Sequence, residues 1–384
     1  MKKKDSKIAS SLALEQIKKN NKGINREVLK VLINYKIKDY LIGDSLLRLR
    51  HFKLIRDFFL KAKISVNLHH RIDVAMLQYN PYVDQLISKD LGSQNIFEYD
   101  VIIIIGDDEA LYKEIVNRWV RELDMGTFET SIFSLTRYLK VEENNHNILP
   151  PYQELYEFIV QKKNKFKLKK EIFIQNSEIE WANQWLQLNG VKSNEKVIII
   201  IDSSSLREKL LPLEVHFKII LFFLENDKHK ILVLDKFGNG KSLFYNEWFD
   251  NKFEHRFIFA QKLKFRHELM LLSSDYIRFI FGPCTGIMHC ASAIHNHFVS
   301  KYGNARGQPD IMVYAGTDSY ENDHKSIWWG DDEEAKCCVV KYVNDFQKEI
   351  VWINPNVHDY LPCSEYTSLL LQNFIKTKFW SYTL

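Results

Sequence analysis

Apolar residues cluster along this chain in short runs, several of them unbroken, that alternate with polar turns and with apolar positions spaced three and four apart. Val31-Leu-Ile-Asn-Tyr-Lys-Ile37, Ile64-Ser-Val-Asn-Leu68, Val83-Asp-Gln-Leu-Ile87 and Tyr99-Asp-Val-Ile-Ile-Ile-Ile105 are such runs in the first half. Between them, Leu46, Leu49, Phe52, Ile55 and Phe59 line one face of a predicted helix over 46–61, and another helix is expected from Asp73. The second half repeats the plan, with predicted strands at Lys196–Ile201, Lys230–Leu234, Phe257–Ala260, Tyr276–Phe281, Asp310–Ala315 and Ile350–Ile353. Helices are expected over 178–190, 212–224, 287–295 and 364–384. Runs without polar alternation belong to strands covered on both faces, as in a parallel sheet. Strand and helix in alternation make the class α/β.

Pro150-Pro151 and the lysine-rich stretch 162–170 interrupt the series, so two domains are expected. The first spans 1–175, with a basic helical leader over 1–30; the second spans 176–363; the closing helix 364–384 is expected to pack back on the first. Ligands of open α/β sheets sit off the carboxyl ends of strands, so a cleft between the domains is the expected site.

Apolar content of 46% and charged content of 27% exclude a disordered chain. No apolar run approaches the roughly 20 residues that cross a bilayer, and Ile8–Leu14 is too short and polar for an export core, so a cytoplasmic protein is expected. Five cysteines without paired CxxC spacing favour neither a disulfide framework nor a zinc ribbon. His69-His70 and His295-Asn-His297 lack carboxylates at ligand spacing, so no metal site is expected. Asp107-Asp108 reads as a helix-start acidic pair or a magnesium ligand. The net charge of +4 is unevenly placed: residues 1–63 hold 17 Lys/Arg against 6 Asp/Glu. Such a surface attracts polyanions or anionic lipid. Nucleic acid is not expected, because no recognition helix, zinc finger or RNA-binding aromatic signature is present.

Three loops carry candidate chemistry. Phe281-Gly-Pro-Cys-Thr-Gly-Ile-Met-His289 turns sharply from a strand into a helix of small residues. Helix-start N–H groups, the Thr285 hydroxyl and His289 there suit a diphosphate; alternatively this is a tight connection with a core histidine. Ser203-Ser-Ser-Leu-Arg-Glu-Lys209 follows another strand, and its hydroxyls and Lys209 suit phosphate oxygens; alternatively it is a polar surface loop, and it lacks the glycines of a P-loop. Asp44, in the turn after the first strand, is either a general base reaching the cleft or the cap of the next helix.

In order along the chain, these segments resemble glycosyltransferase family 9, the heptosyltransferase-like enzymes. Ile42-Gly-Asp-Ser-Leu-Leu47 looks like its opening Gly-Asp loop, and Asn80–Ile87 is similar to its "NP.vdevi" segment. Ser204, Ser205 and Lys209, with Pro212 behind them, look like its phosphate loop. Thr285-Gly-Ile-Met-His-Cys-Ala291 is close to its "DTG.mHlA" signature, and Tyr314-Ala-Gly-Thr317 resembles its Gly-Thr loop. The resemblance runs from about Val31 to Ala315.

It implies a GT-B fold of two Rossmann-like domains. It also implies an inverting, metal-independent glycosyltransferase moving a heptose-like sugar from a nucleotide-diphosphate donor, ADP-linked in the best-known members. The acceptor would be lipopolysaccharide or another cell-surface glycan, phosphorylated or lipid-linked, met at the anionic inner face of the inner membrane by the basic N-terminal surface. No cofactor is implied. By residue match, Asp44 is the base, Ser204, Ser205 and Lys209 hold the diphosphate, and Thr285, Gly286 and His289 hold diphosphate and donor sugar. Cys284 stands where the family has Asp, which leaves the donor's identity open. So does the missing acidic residue for the nucleotide ribose. Ser300–Asp310 is longer than the family norm and is expected as an added loop near the cleft. A GT-B nucleotide-sugar epimerase or a non-catalytic glycan-binding or scaffold member are the alternatives.

Overall fold

A computed structural model describes residues 3–22, 28–35, 42–68, 71–87, 95–105, 108–122, 126–135, 149, 152–165, 169–226, 228–236, 238, 240–303, 306–317, 329, 334–344, 346–354 and 356–380. The chain forms two compact units, 1–168 and 169–384, dividing a few residues before the expected boundary at 175.

The first unit runs α1 (Lys3–Asn21), β1 (Lys30–Tyr35), α2 (Ile42–Leu49), α3 (Phe52–Phe58), β2 (Lys63–Leu68), α4 (Arg71–Leu77), β3 (Gln85–Ile87), β4 (Val101–Ile104), α5 (Asp108–Glu122), β5 (Ser131–Ser134) and α6 (Gln153–Lys165). Its sheet has the order β3-β2-β1-β4-β5, every pair parallel. The Ile102–Ile105 run is wholly buried, as expected of a strand with both faces covered. β5 and α6 were not among the predicted elements: β5 is short, and the lysines of α6 hid its apolar face, where Leu155 and Ile159 are buried.

One expectation is met and one changes here. The basic leader is a structural helix: Ala9, Ala13 and Ile17 of α1, four residues apart, join the unit's core, leaving Lys18 and Lys19 exposed. The helix predicted over 46–61 is two helices meeting at Arg50-His51, and the first begins earlier, at Ile42. Asp44 therefore stands in the first turn of α2 rather than in a loop. Burial of Ser45, Leu46 and Leu49 explains why the segment is already helical there.

The second unit runs α7 (Asn176–Leu188), β6 (Val197–Ile200), α8 (Leu213–Asn226), β7 (Lys230–Asp235), α9 (Lys241–Trp248), β8 (Phe257–Gln261), α10 (Phe265–Leu272), β9 (Ile277–Pro283), α11 (Gly286–Tyr302), β10 (Asp310–Tyr314), β11 (Ala335–Asn344), β12 (Gln347–Trp352) and α12 (Ser368–Ile375). The sheet order is β12-β11-β10-β9-β6-β7-β8; only the β11–β12 pair is antiparallel. Cys337 and Cys338 are buried β11 residues outside any disulfide, as the strand reading has it.

Within its own unit, the closing segment places Leu371 and Ile375 in the core beside α8 and stacks Trp380 on Phe223 at 5.6 Å. The segment 300–310 is a correction. α11 continues to Tyr302 and carries the chain to the amino ends of the strands. There the Arg306 guanidinium donates to the Ser273 carbonyl at 2.8 Å and to Asp275 at 2.6 Å, over the Phe298 ring. This is the opposite end of the sheet from the carboxyl-end loops.

Candidate functional site

In the second unit the chain leaves β6 in one direction through β7 and β8, and returns on the other side with β9 and β10. The carboxyl ends of β6 and β9 thus flank the topological switch point, where open α/β sheets leave a crevice. β9 approaches β6 closely: a Cβ on Gly282 would lie 2.6 Å from Cβ of Ile201, so only glycine fits. The Cys284 N–H donates to the Tyr314 carbonyl of β10 at 2.9 Å, and the chain turns into α11.

Thr285 is the N-cap, with extended φ −138° and ψ 165°. Its carbonyl accepts the N–H groups of Met288 and His289 at 3.1 and 3.2 Å. Its Oγ1 is buried and has no hydrogen-bond partner among the described residues. The N–H groups of Gly286 and Ile287, at the first positions of the helix, lack intrahelical acceptors by geometry and carry the positive end of the helix dipole. A hydroxyl and two amides of this kind form a seat for an anion.

The loop after β6 lies beside this seat. Ser204 accepts the Leu206 N–H at 3.3 Å, Ser205 is exposed, and Lys209 ends a short 3-10 turn over Arg207–Lys209. β6 and β9 are parallel neighbours, so this loop and the α11 start leave the same end of the sheet, and Lys209 is among the charges that disfavour a protonated His289.

His289 is not open to solvent. The His289 ring stacks on Trp329, centroids 4.0 Å apart and planes 9° apart. The indole N–H of Trp329 points at Cys284 Sγ, 3.2 Å away. Lys170 Nζ lies 3.2 Å from His289 Nδ1 and 4.4 Å from the indole centroid. All four side chains are at most 5% exposed. Burial, then Lys170 and Lys209, hold the imidazole well below its ordinary range, so it is neutral. The family position held by Asp is thus a thiol capped by an indole. Lys170 and Trp329 were missed: Lys170 read as the last of a basic cluster, and nothing near Trp329 in sequence points to residue 289.

A second polar chain runs behind the β6 loop. His216 Nε2 and the Tyr245 hydroxyl are 2.9 Å apart, and that hydroxyl donates to Asp202 Oδ2 at 2.9 Å. Lys241 pairs with the other Asp202 oxygen and donates to the Leu234 carbonyl at 2.9 Å. Burial first, with Lys241 against it and Asp202 partly offsetting it, takes His216 down to about 4. An open pocket of about 850 Å³ adjoins this chain, lined by Asp202, Leu206, Arg207, Leu211, His216 and Tyr314 among others.

The side chain of Asp44 on α2, and residues 69–70 and 106–107, lie outside the described residues. His295 is a satisfied core histidine, 2.6 Å from Gln308 and 3.0 Å from the Leu272 carbonyl. Among the described residues no group of three His, Cys, Asp or Glu side chains is placed to hold a metal ion, and no helix is long and apolar enough to cross a membrane.

No protein-family model and no curated protein matches the sequence. Solved structures do match the fold. The E. coli ADP-heptose lps heptosyltransferase II aligns with a TM-score of 0.58 at 11% identity, over 91% of this chain and 98% of that one. The glycosyl transferase family 9 protein of Veillonella parvula DSM 2008 aligns at 0.50 and 13%, over 77% and 84%. The E. coli heptosyltransferase WaaC with ADP-2-deoxy-2-fluoro heptose aligns at 0.50 and 12%, over 91% and 99%. The likeness is one of fold: two Rossmann-like α/β units of the GT-B class.

Proposed function

We propose that the chain is a glycosyltransferase taking a nucleotide-diphosphate sugar as donor. One observation carries the reading: at the switch point of the second unit, a helix start holds a buried Thr285 hydroxyl that has no partner among the described residues, and the Lys209 loop leaves the neighbouring parallel strand. Anion, hydroxyl and cation chemistry there suits a diphosphate. The fold likeness to WaaC, whose structures hold ADP or ADP-2-deoxy-2-fluoro heptose, supports an ADP-linked, heptose-like donor.

The transfer would be inverting and independent of metal. The acceptor hydroxyl oxygen bonds to the anomeric carbon as that carbon's bond to the diphosphate oxygen breaks. The electron pair leaves with the diphosphate. Lys209, Ser204, Ser205, Thr285 and the helix-start amides compensate its charge. The acceptor proton passes to Asp44, the base by resemblance. The basic residues of 1–63 suit a phosphorylated or lipid-linked glycan at an anionic inner membrane surface. A lipopolysaccharide acceptor follows from the resemblance.

Calorimetry with ADP, UDP, GDP and CDP, followed by product analysis with the matching sugar donors, tests this. Binding of a nucleoside diphosphate that Thr285→Val and Lys209→Ala both weaken is expected. A folded protein that binds none of the four would sink the reading. A second reading, a non-catalytic glycan-binding protein, is favoured by one observation: Trp329 covers both Cys284 and His289. It predicts glycan binding without release of nucleoside diphosphate from any donor.

A further inference from the structure

We propose that Lys170 is a positioning residue of the α11 site. Its ammonium donates to Nδ1 of His289 and fixes the imidazole proton on Nε2, so that the ring meets the donor's diphosphate or sugar as a neutral hydrogen-bond donor and not as a base. The identity of that ligand rests on the nucleotide-sugar reading above; the place of the proton does not.

An ammonium has three donors and no acceptor, so at 3.2 Å His289 Nδ1 has to accept. A neutral imidazole that accepts at Nδ1 carries its hydrogen on Nε2. The approach of the two groups is built in by α11 itself. Asn296 Nδ2 holds the Lys170 carbonyl at 3.2 Å, and the Ile172 N–H donates to the Ala293 carbonyl at 3.1 Å. Both anchors lie on the helix that bears His289, so the 169–172 segment is stapled along it. Farther on, Arg266 clamps the segment from α10, donating to the Phe173 carbonyl at 2.7 Å and to Glu178 at 2.6 and 2.8 Å.

Trp329 completes the arrangement. Its ring lies flat on the imidazole and offers its face to the Lys170 ammonium in a cation–π geometry. Stacking on one side and the ammonium at Nδ1 leave the imidazole a single orientation. Among the described residues, the charged and titratable groups that face it are Lys170, Lys209 on the β6 loop, and the Cys284 thiol by way of Trp329. Two positive neighbours and burial oppose a positive ring, which agrees with the neutral form. A ring so held carries a fixed proton one turn into the helix that starts at Thr285, and under the glycosyltransferase reading it leaves the acceptor's proton to Asp44.

Nitrogen-detected NMR of the full chain with 15N-labelled histidine tests the proton's place, with His289→Gln assigning the resonance. The expected result is an Nε2–H tautomer that stays neutral while exposed histidines pass their usual midpoint near about 6.5. In Lys170→Met the His289 midpoint should rise toward that value and the tautomers should mix; Lys170→Arg should restore the parent pattern. An Nδ1–H signal in the parent, or no change in Lys170→Met, overturns the proposal. Should Lys170→Met fail to fold, Trp329→Phe keeps the lysine in place, and a switch to Nδ1–H in that variant overturns it equally. Donor turnover adds a second readout: the acid limb of the pH profile should move to higher pH in Lys170→Met. If the NMR pattern holds and the parent binds no nucleotide sugar, the glycosyltransferase reading fails while the proton assignment stands.

Discussion

The two units are wound on one plan, and their central strands meet the chain's return in the same way. β1 lies between β2 and β4, and β6 lies between β7 and β9. The first described element after β1 is α2, which the unit holds by packing. Tyr35 meets Phe52 edge-on at 5.8 Å, its hydroxyl bonds the Ser45 carbonyl, and Leu46 and Leu49 are buried. The turn after β9 leads into α11, whose start holds an unpartnered hydroxyl, a neutral histidine and two lysines that act on it. Each unit has its own switch point; in the second, the described groups beside it include a buried Thr285 hydroxyl and a neutral His289, while in the first the described polar groups include Asn34 and Ser45. Function is argued from such residues and not from the winding.

The largest effect that could break this contrast is in turnover. Asp44→Asn should lower transfer by roughly 10²–10⁴-fold, the usual worth of a general base, with nucleotide affinity unchanged by calorimetry. A parallel loss of affinity would show that the first unit's helix also serves the nucleotide. Next, Lys209→Ala should weaken nucleoside diphosphate binding by about 10–100-fold, as loss of a charged hydrogen bond does, whatever its effect on transfer.

Stability sharpens the contrast further. Gly282→Ala should cost roughly 1–3 kcal/mol by denaturant unfolding, because the new Cβ meets Ile201 and β9 has to move. A loss well under 1 kcal/mol would mean the two strands have room.

Acid–base behaviour should differ around the furnished end. Burial pushes Glu268 of α10 up to about 7, against the pull of Lys236 and Lys241. A carboxyl with a raised folded pKa favours the folded state fully below its unfolded value. That contribution is lost as pH rises through about 7. The parent should therefore lose on the order of 2 kcal/mol between mildly acidic and mildly alkaline pH, and Glu268→Gln should flatten the curve. An unchanged curve in the variant would assign the pH dependence elsewhere.

The smallest expected effect is at the β11–β12 tip, where Phe346 is 97% exposed. Phe346→Ser should shift stability by less than about 0.5 kcal/mol and leave nucleotide binding intact.

Much of the fold was legible beforehand because it is written locally. The Ile102–Ile105 and Val197–Ile201 runs are apolar without alternation and became central strands with both faces buried. The Gly-Pro-Cys-Thr-Gly stretch announced a sharp strand-to-helix turn, and one stands there. Other features were illegible for physical reasons. The Leu46–Phe59 periodicity continues through Arg50-His51, so spacing did not reveal the break between α2 and α3. The helix in residues 1–30 was legible, but its place in the core was not, because its buried face consists largely of alanine, which adds little to a hydrophobic pattern. The closing helix gave its apolar face but not the core that takes it.

Sequence by itself determined the alternation of strand and helix, the two-unit organisation, and the loops at which polar chemistry emerges. These depend on hydrophobic period, glycine and proline, all read within a few residues. Tertiary structure alone decided the company that His289 keeps. Lys170 lies 119 positions away from it and Trp329 comes from the far side of β10, and they meet because the sheet's winding and the α11 staples bring them together. Whether a histidine is an exposed base or a buried neutral donor is set by the groups around it in space, and no local pattern records them.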